Sequence, residues 1–192
     1  MISPGDSDKA GLRQRIRVLL QNLPLSQRTE ASAQLLLRLQ EQRVWGRARS
    51  VLLFAPLPDE PDIWPLLPGS IAAGRTIALP SFATGTNAYT ARQILDPAHD
   101  LIVGKFGIRE PAATCPGVPL NRLDLVLVPG VAFDLRGGRL GRGKGFYDRL
   151  LSAVNGLKCG VAFDEQVVDA VPVGPMDVRL NCILTPTRWI ET

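Results

Sequence analysis

From residue 50 onward the chain carries five short apolar runs, Ser50–Phe54, Thr76–Leu79, Leu125–Val128, Gly160–Phe163 and Cys182–Leu184, separated by glycine- and proline-bearing stretches. Each is too short for a helix and runs apolar without polar alternation, the pattern of a strand covered on both faces. Tyr89–Ile94 is a weaker strand candidate, and helical stretches fall near Ile63–Leu67 and Phe146–Val154. Strands interleaved with helices predict an α/β fold: a single-domain layered, mostly parallel sheet with helices on both faces. With no internal repeat or low-complexity linker, residues 1–192 read as one domain, long enough to bury a core.

Ahead of the sheet, residues 9–45 read as two helices. Leu12, Ile16, Leu19 and Leu23 recur at helical spacing, with arginines on the other faces. Pro24 interrupts, Ser26 is the expected N-cap with Glu30 in the first turn, and Leu35, Leu36 and Leu39 mark the second buried stripe. Two segments read as long loops, 83–87 and 104–121, the second carrying FGIREP. Loops held by a rigid sheet often carry function, so both are candidate substrate walls.

Composition narrows the chemistry. No apolar run approaches the ~18 residues of a membrane span, and residues 1–20 lack the apolar core and cleavage site of a secretory signal. Cys115, Cys159 and Cys182 have neither metal-site spacing nor an even count, which points to a reducing, cytoplasmic setting. His99, the single histidine, sits in a turn-like stretch and excludes any two-histidine mechanism. The net charge is +4, and residues 1–49 hold nine Lys/Arg against four Asp/Glu. Such an excess suits a polyanion such as a nucleoside triphosphate, and equally suits solvated helix faces.

The densest information lies in Asp124–Leu151, DLVLVPGVAFDLRGGRLGRGKGFYDRLL. A buried strand and a Pro129-Gly130 turn lead to five glycines, Gly137, Gly138, Gly141, Gly143 and Gly145. Phe146, Leu150 and Ala153 then recur at helical spacing. A strand, a glycine loop and a helix start offer backbone N–H groups to phosphate. Arg139, Arg142 and Lys144 add three cations. A flexible hairpin without a ligand is the alternative. Residues 138–144 satisfy GxxxxGK, but Gly145 stands where a P-loop needs a magnesium-ligating hydroxyl. Asp148, in the first turn of the predicted helix, is the alternative carboxylate.

These residues closely resemble the signature of the 5-formyltetrahydrofolate cyclo-ligases, or methenyltetrahydrofolate synthetases. The likeness covers nearly the whole chain. Lys9-Ala10-Gly11-Leu12-Arg13 resembles the family's KxxLR element, and Glu60-Pro61-Asp62 its acidic element. Phe106–Pro111 matches FGIxEP, and Gly160–Gln166 with Pro172 and Asp177 the carboxy-terminal stretch. The resemblance implies ATP-dependent closure of 5-formyltetrahydrofolate to 5,10-methenyltetrahydrofolate through a phosphorylated formyl group, releasing ADP and phosphate. It implies ATP contacts from Lys9, Arg13, Arg139, Gly141, Arg142, Gly143, Lys144, Gly145, Phe146 and Tyr147, with Arg142 and Lys144 as electrostatic catalysts. Asp148 and Asp177 would hold Mg2+, a hard ion that prefers oxygen. Pro56, Glu60, Glu110 and Tyr147 would contact the folate, with Glu110 equally readable as a loop anchor. Phe54 and Trp64 read equally as core and as substrate stack.

Phosphoryl transfer asks for positioning and charge stabilisation rather than a protein nucleophile, which suits a chain with no Ser-His-Asp set. Two departures stand out. Met176-Asp177 replaces the usual His-Asp pair, and Glu60-Pro61-Asp62-Ile63 replaces EVDT, losing a hydroxyl. The competing reading is a silent, regulatory relative that binds nucleotide or RNA; the intact acidic and glycine-loop elements favour the enzyme, and RNP-type aromatic strands are lacking. The expectation is a monomer with small-molecule partners and no nucleic acid or membrane.

Overall fold

The computed structural model describes residues 4–104 and 107–192, with side chains of the first helix from Asp8 onward. Phe106, expected in the FGIREP wall, lies outside these residues. In chain order the first elements are α1 (Pro4–Gln21), α2 (Leu25–Gln40), α3 (Arg43–Arg47), β1 (Ser50–Leu52), α4 (Leu66–Ala72), β2 (Thr76–Ala83), β3 (Ala88–Gln93) and α5 (Pro97–Asp100). There follow β4 (Leu101–Val103), β5 (Arg109–Pro111), β6 (Gly117–Val118), β7 (Leu125–Val128), β8 (Ala132–Asp134) and β9 (Arg139–Leu140). The chain ends with α6 (Phe146–Ser152), β10 (Leu157–Val161), β11 (Val167–Val168), β12 (Cys182–Leu184) and β13 (Trp189–Glu191).

One eight-stranded sheet runs β13-β12-β10-β7-β1-β2-β3-β6. The pairings among β12, β10, β7, β1 and β2 are parallel, and antiparallel strands close both edges. Side chains alternate between faces along a strand. On one face Val51, Ile77, Leu125 and Leu127 pack with Leu35 and Leu39 of α2, Trp45 of α3, and Leu66 and Leu67 of α4. On the other, Leu52, Ala78, Val126 and Val128 pack with Leu150 and Leu151 of α6. Both faces are covered, so the central strands carry apolar residues at consecutive positions. The single-domain, mostly parallel α/β class expected from the sequence is observed.

A third apolar cluster fixes α1. Leu12, Ile16 and Leu20 bury against Ala132, Leu140, Phe163 and Val171, beside the small sheet β11-β8-β9. At roughly 1.5–3 kcal/mol per buried aliphatic side chain, this contact is strong enough to hold the helix, and with it Lys9 and Arg13, in one place.

Several local expectations are corrected. Leu19 is 46% exposed and Leu20 takes its place in the core, because i+3 and i+4 both satisfy helical spacing. Ser26 is not the N-cap: α2 starts at Leu25 directly after Pro24, without a side-chain cap, and Glu30 lies beyond the first turn. Pro24 already sets φ at −56° for the helix start. The helix expected at Ile63–Leu67 begins at Leu66, leaving Ile63 as a fully buried core residue outside it. The segment 83–87 is a tight hairpin turn between β2 and β3, with Asn87 at φ 51°. The segment 104–121 is not one loop but contains β5 and β6.

Candidate functional site

The crevice opens where open α/β sheets usually place ligands, at the carboxyl ends of strands whose connections lead apart. From β1 the chain leads to β2 on one side, and from β7 to β10 on the other. Phe54 and Ala55 after β1, and Pro129 and Gly130 after β7, line a cavity of about 610 Å³. Lys9 and Arg13 from α1, residues 139–148, Glu60, Glu110 and Asp177 converge on it. Every proposed contact residue except Pro56 therefore lines one cavity; Pro56 lies between its lining neighbours Ala55 and Leu57. Six cationic and four acidic side chains share the walls, so the cavity suits an anion with polar edges.

The glycine stretch divides in two. Gly137, at φ 78°, and Gly138 turn the β8–β9 hairpin, which the buried Asp134 carboxylate pins by accepting from the N–H groups of Arg136, Gly138 and Val171. This half is a pinned hairpin, and Gly137 and Gly138 stand outside the cavity lining. Residues 141–145 form the cavity-lining half, with Gly143 at φ 98° and Gly145 at φ 63°, conformations that exclude most side chains. Arg13 Nε donates to Gly141 O at 2.9 Å and ties α1 to this loop. α6 is only seven residues long, so its helix dipole adds little to the charge of the side chains around the cavity.

Arg139 is buried in the wall. Its Nη2 donates to Asp148 Oδ1 at 2.8 Å, and the guanidinium lies 5.7 Å from the Tyr147 ring centroid. It therefore orients Asp148 more directly than it reaches into the cavity. Lys9 Nζ donates to Asp177 Oδ2 at 2.7 Å, and Gly174 N–H to the same oxygen. Burial pushes the Asp177 carboxyl up, but Lys9 and that backbone bond outweigh it and hold it below its ordinary value. Asp148 Oδ2 and Asp177 Oδ1 accept nothing among the described residues.

The two acids assigned to the folate differ. Glu60, with 7% of its side chain exposed, has both oxygens occupied: Oε2 accepts from Leu57 N–H, and Oε1 from Arg142 Nη2 at 3.1 Å. Burial raises its pKa despite these bonds. Arg142 also donates to Asp59 at 2.6 Å, so this cation is bound to the acidic element. Glu110 is 6% exposed; Oε2 accepts from Phe82 N–H at 2.8 Å, while Oε1 is buried and has no partner among the described residues. A Cβ at Gly104 would overlap the Glu110 carboxyl group, so glycine there clears room for it. The loop-anchor reading accounts for one oxygen and not for the other.

Tyr89 and Pro80 also line the cavity, and sequence reasoning missed both. Tyr89 belongs to an aromatic group with Phe82, Phe146 and Tyr147, at centroid distances of 5.3–6.2 Å. The weak strand pattern at 89–94 was the only available signal. Burial pushes the Tyr147 hydroxyl far up, with the Glu60 charge adding to it, so the phenol remains a donor. Phe54 is both core and cavity wall. Trp64 packs on the core with Arg109 over its ring and does not line the cavity. Met176 is 83% exposed and also stands outside the lining.

Fold and site together define a single-domain α/β enzyme whose cleft, at the strands' carboxyl ends, combines a cationic glycine loop with buried carboxylates. Residues 6–186 match the model of the 5-formyltetrahydrofolate cyclo-ligase family, and the chain belongs to that family. A cyclo-ligase of Escherichia coli is 33% identical over 188 residues, covering 94% of this chain and 99% of the relative. One of Mycolicibacterium smegmatis is 34% identical over 148 residues, covering 74% and 76%. The NMR structure of Aquifex aeolicus 5,10-methenyltetrahydrofolate synthetase is similar with a TM-score of 0.86 at 34% identity, over 95% of this chain and 92% of that one. A synthetase from Mycoplasma pneumoniae, at 20% identity and TM-score 0.74, shares the fold.

Proposed function

We propose that this enzyme closes 5-formyltetrahydrofolate to 5,10-methenyltetrahydrofolate at the expense of ATP. The formyl oxygen attacks the γ-phosphorus and ADP leaves, giving a formyl group phosphorylated on its oxygen, its carbon still bound to N5. N10 then attacks that carbon and loses its proton, and phosphate departs with the former formyl oxygen. The observation that carries the reading is the convergence of the glycine loop, the α1 cations and two buried folate-side acids in one 610 Å³ cavity.

Lys9, Arg13, Lys144 and the backbone of residues 141–145 hold the triphosphate, with Phe146 and Tyr147 beside it. Arg139 acts through Asp148. Arg142 stabilises the transferring phosphoryl group once it leaves Glu60, which frees that acid for the folate. The spare carboxylate oxygens of Asp148 and Asp177 suit magnesium, which takes one or two carboxylates and completes its shell with phosphate and water. Bound there, the ion would neutralise phosphate charge. Glu110 Oε1 is the acceptor best suited to the pterin's amino and ring N–H groups, because a buried acceptor without a partner gains most from a donor. Glu60 and the Tyr147 hydroxyl, with Pro56 at the mouth, complete the folate side. The test follows methenyl absorbance after mixing protein, 5-formyltetrahydrofolate, ATP and magnesium. Product that forms equally without ATP refutes the proposal.

A further inference from the structure

A second cavity, of about 190 Å³, adjoins the first and shares only Arg13, Gly130 and Arg142 with it. Arg17 and Leu20 of α1, with Asp59, Val131 and Gln166, complete its walls. Arg17 has no part in the site described above. It follows Arg13 by four residues, about 6 Å of helical rise, so both project from one face of α1. Among the described residues Arg17 makes one polar contact, a marginal 3.5 Å bond to Gln14.

On the other wall the polar groups are engaged. Gln166 is 1% exposed; Nε2 donates to the carbonyls of Gly130 and Val131, and Oε1 accepts from Phe163 N–H. Asp59 offsets Arg142 through their 2.6 Å bond, and no other carboxylate among the described residues lines the cavity beside Arg13 and Arg17. A space this small admits one oxyanion group and no nucleotide, and paired guanidiniums suit the flat fork of a carboxylate or the face of a phosphate.

We infer that this cavity is a second oxyanion subsite, in which Arg17 and Arg13 hold one carboxylate or phosphate group. The ligand choice rests on the proposed function, whose reaction handles both chemistries: inorganic phosphate as product, and the carboxylates of the folate's glutamate tail. Arg17→Ala is compared with Arg15→Ala, which removes an equal charge from the same helix outside the cavity, and a thermal melt checks that both fold. One arm measures KM for 5-formyltetrahydrofolate with one glutamate and with several γ-linked glutamates. The other measures inhibition by inorganic phosphate and the rise it causes in melting temperature without substrate. Loss of a half-exposed charge-assisted contact predicts a change of about five-fold in one arm for Arg17→Ala. A change confined to the polyglutamate arm identifies the carboxylate, and one confined to the phosphate arm identifies the phosphate. Arg17→Ala matching Arg15→Ala in both arms overturns the inference. Failure of the underlying function would instead appear in the wild type, as no ATP-dependent product at all.

Discussion

Replacing Glu110 by Gln separates a ligand acceptor from a structural anchor, because the two oxygens of this side chain have different surroundings. Oε2 accepts from Phe82 N–H at 2.8 Å, and the amide oxygen of Gln can keep that bond. Oε1 is buried with no partner among the described residues, and the substitution puts an NH₂ group in its place. A donor then faces the pterin's donors, at a cost of about 1–3 kcal/mol, or roughly 5- to 150-fold in folate affinity. The empty protein changes in the opposite sense or not at all. A buried carboxylate oxygen without a partner costs more than a neutral amide there, so the melting temperature holds or rises by about 2–4 °C per kcal/mol recovered. The assay pairs the KM values for folate and ATP with a melt. Gly104→Ala supplies an independent perturbation, since its Cβ would overlap the Glu110 carboxyl group and displace it. A lower melting temperature with unchanged folate KM in Glu110→Gln would refute the assignment and leave Glu110 a loop anchor.

Three further outcomes are expected. Asp148→Asn removes a proposed magnesium ligand and should lose most activity while keeping the fold; unchanged activity at limiting magnesium would exclude the role. Lys144→Ala should raise KM for ATP far more than for folate, by roughly 1.5–3 kcal/mol where the contact is sheltered, and a defect confined to folate would mean the loop serves the other ligand. Glu60→Gln should weaken folate binding measured by calorimetry, and should also change how stability depends on pH. The folded pKa of Glu60 is raised above 4.5, so its ionisation opposes folding. Wild type should therefore lose stability relative to Glu60→Gln as pH rises from 4.5 through the raised value, and parallel melting curves across that range would contradict the sign.

By itself the sequence determined the layered α/β class, because central strands buried on both faces must be apolar at consecutive positions, and the runs at 125–128 and 182–184 appear as strands with those bounds. It also marked the contiguous glycine and cation segment at 139–148, whose chemistry is local. Leu20 rather than Leu19 was beyond it, since helical spacing permits either and only the packing of α1 on Phe163 and Leu140 selects one. The division of the glycines was beyond it as well: Gly137 and Gly138 serve a hairpin because Asp134, folded beside Val171, gathers their turn. Pairing across long separations was decided only in three dimensions. Lys9 meets Asp177 across 168 positions, Arg142 meets Glu60 across 82, and Glu110 is fixed by a backbone group of β2. Residue type names which groups can bind a phosphate, a metal or a pterin, but a free oxygen on Glu110 and an occupied one on Glu60 depend on what the folded chain brings within hydrogen-bonding distance of each.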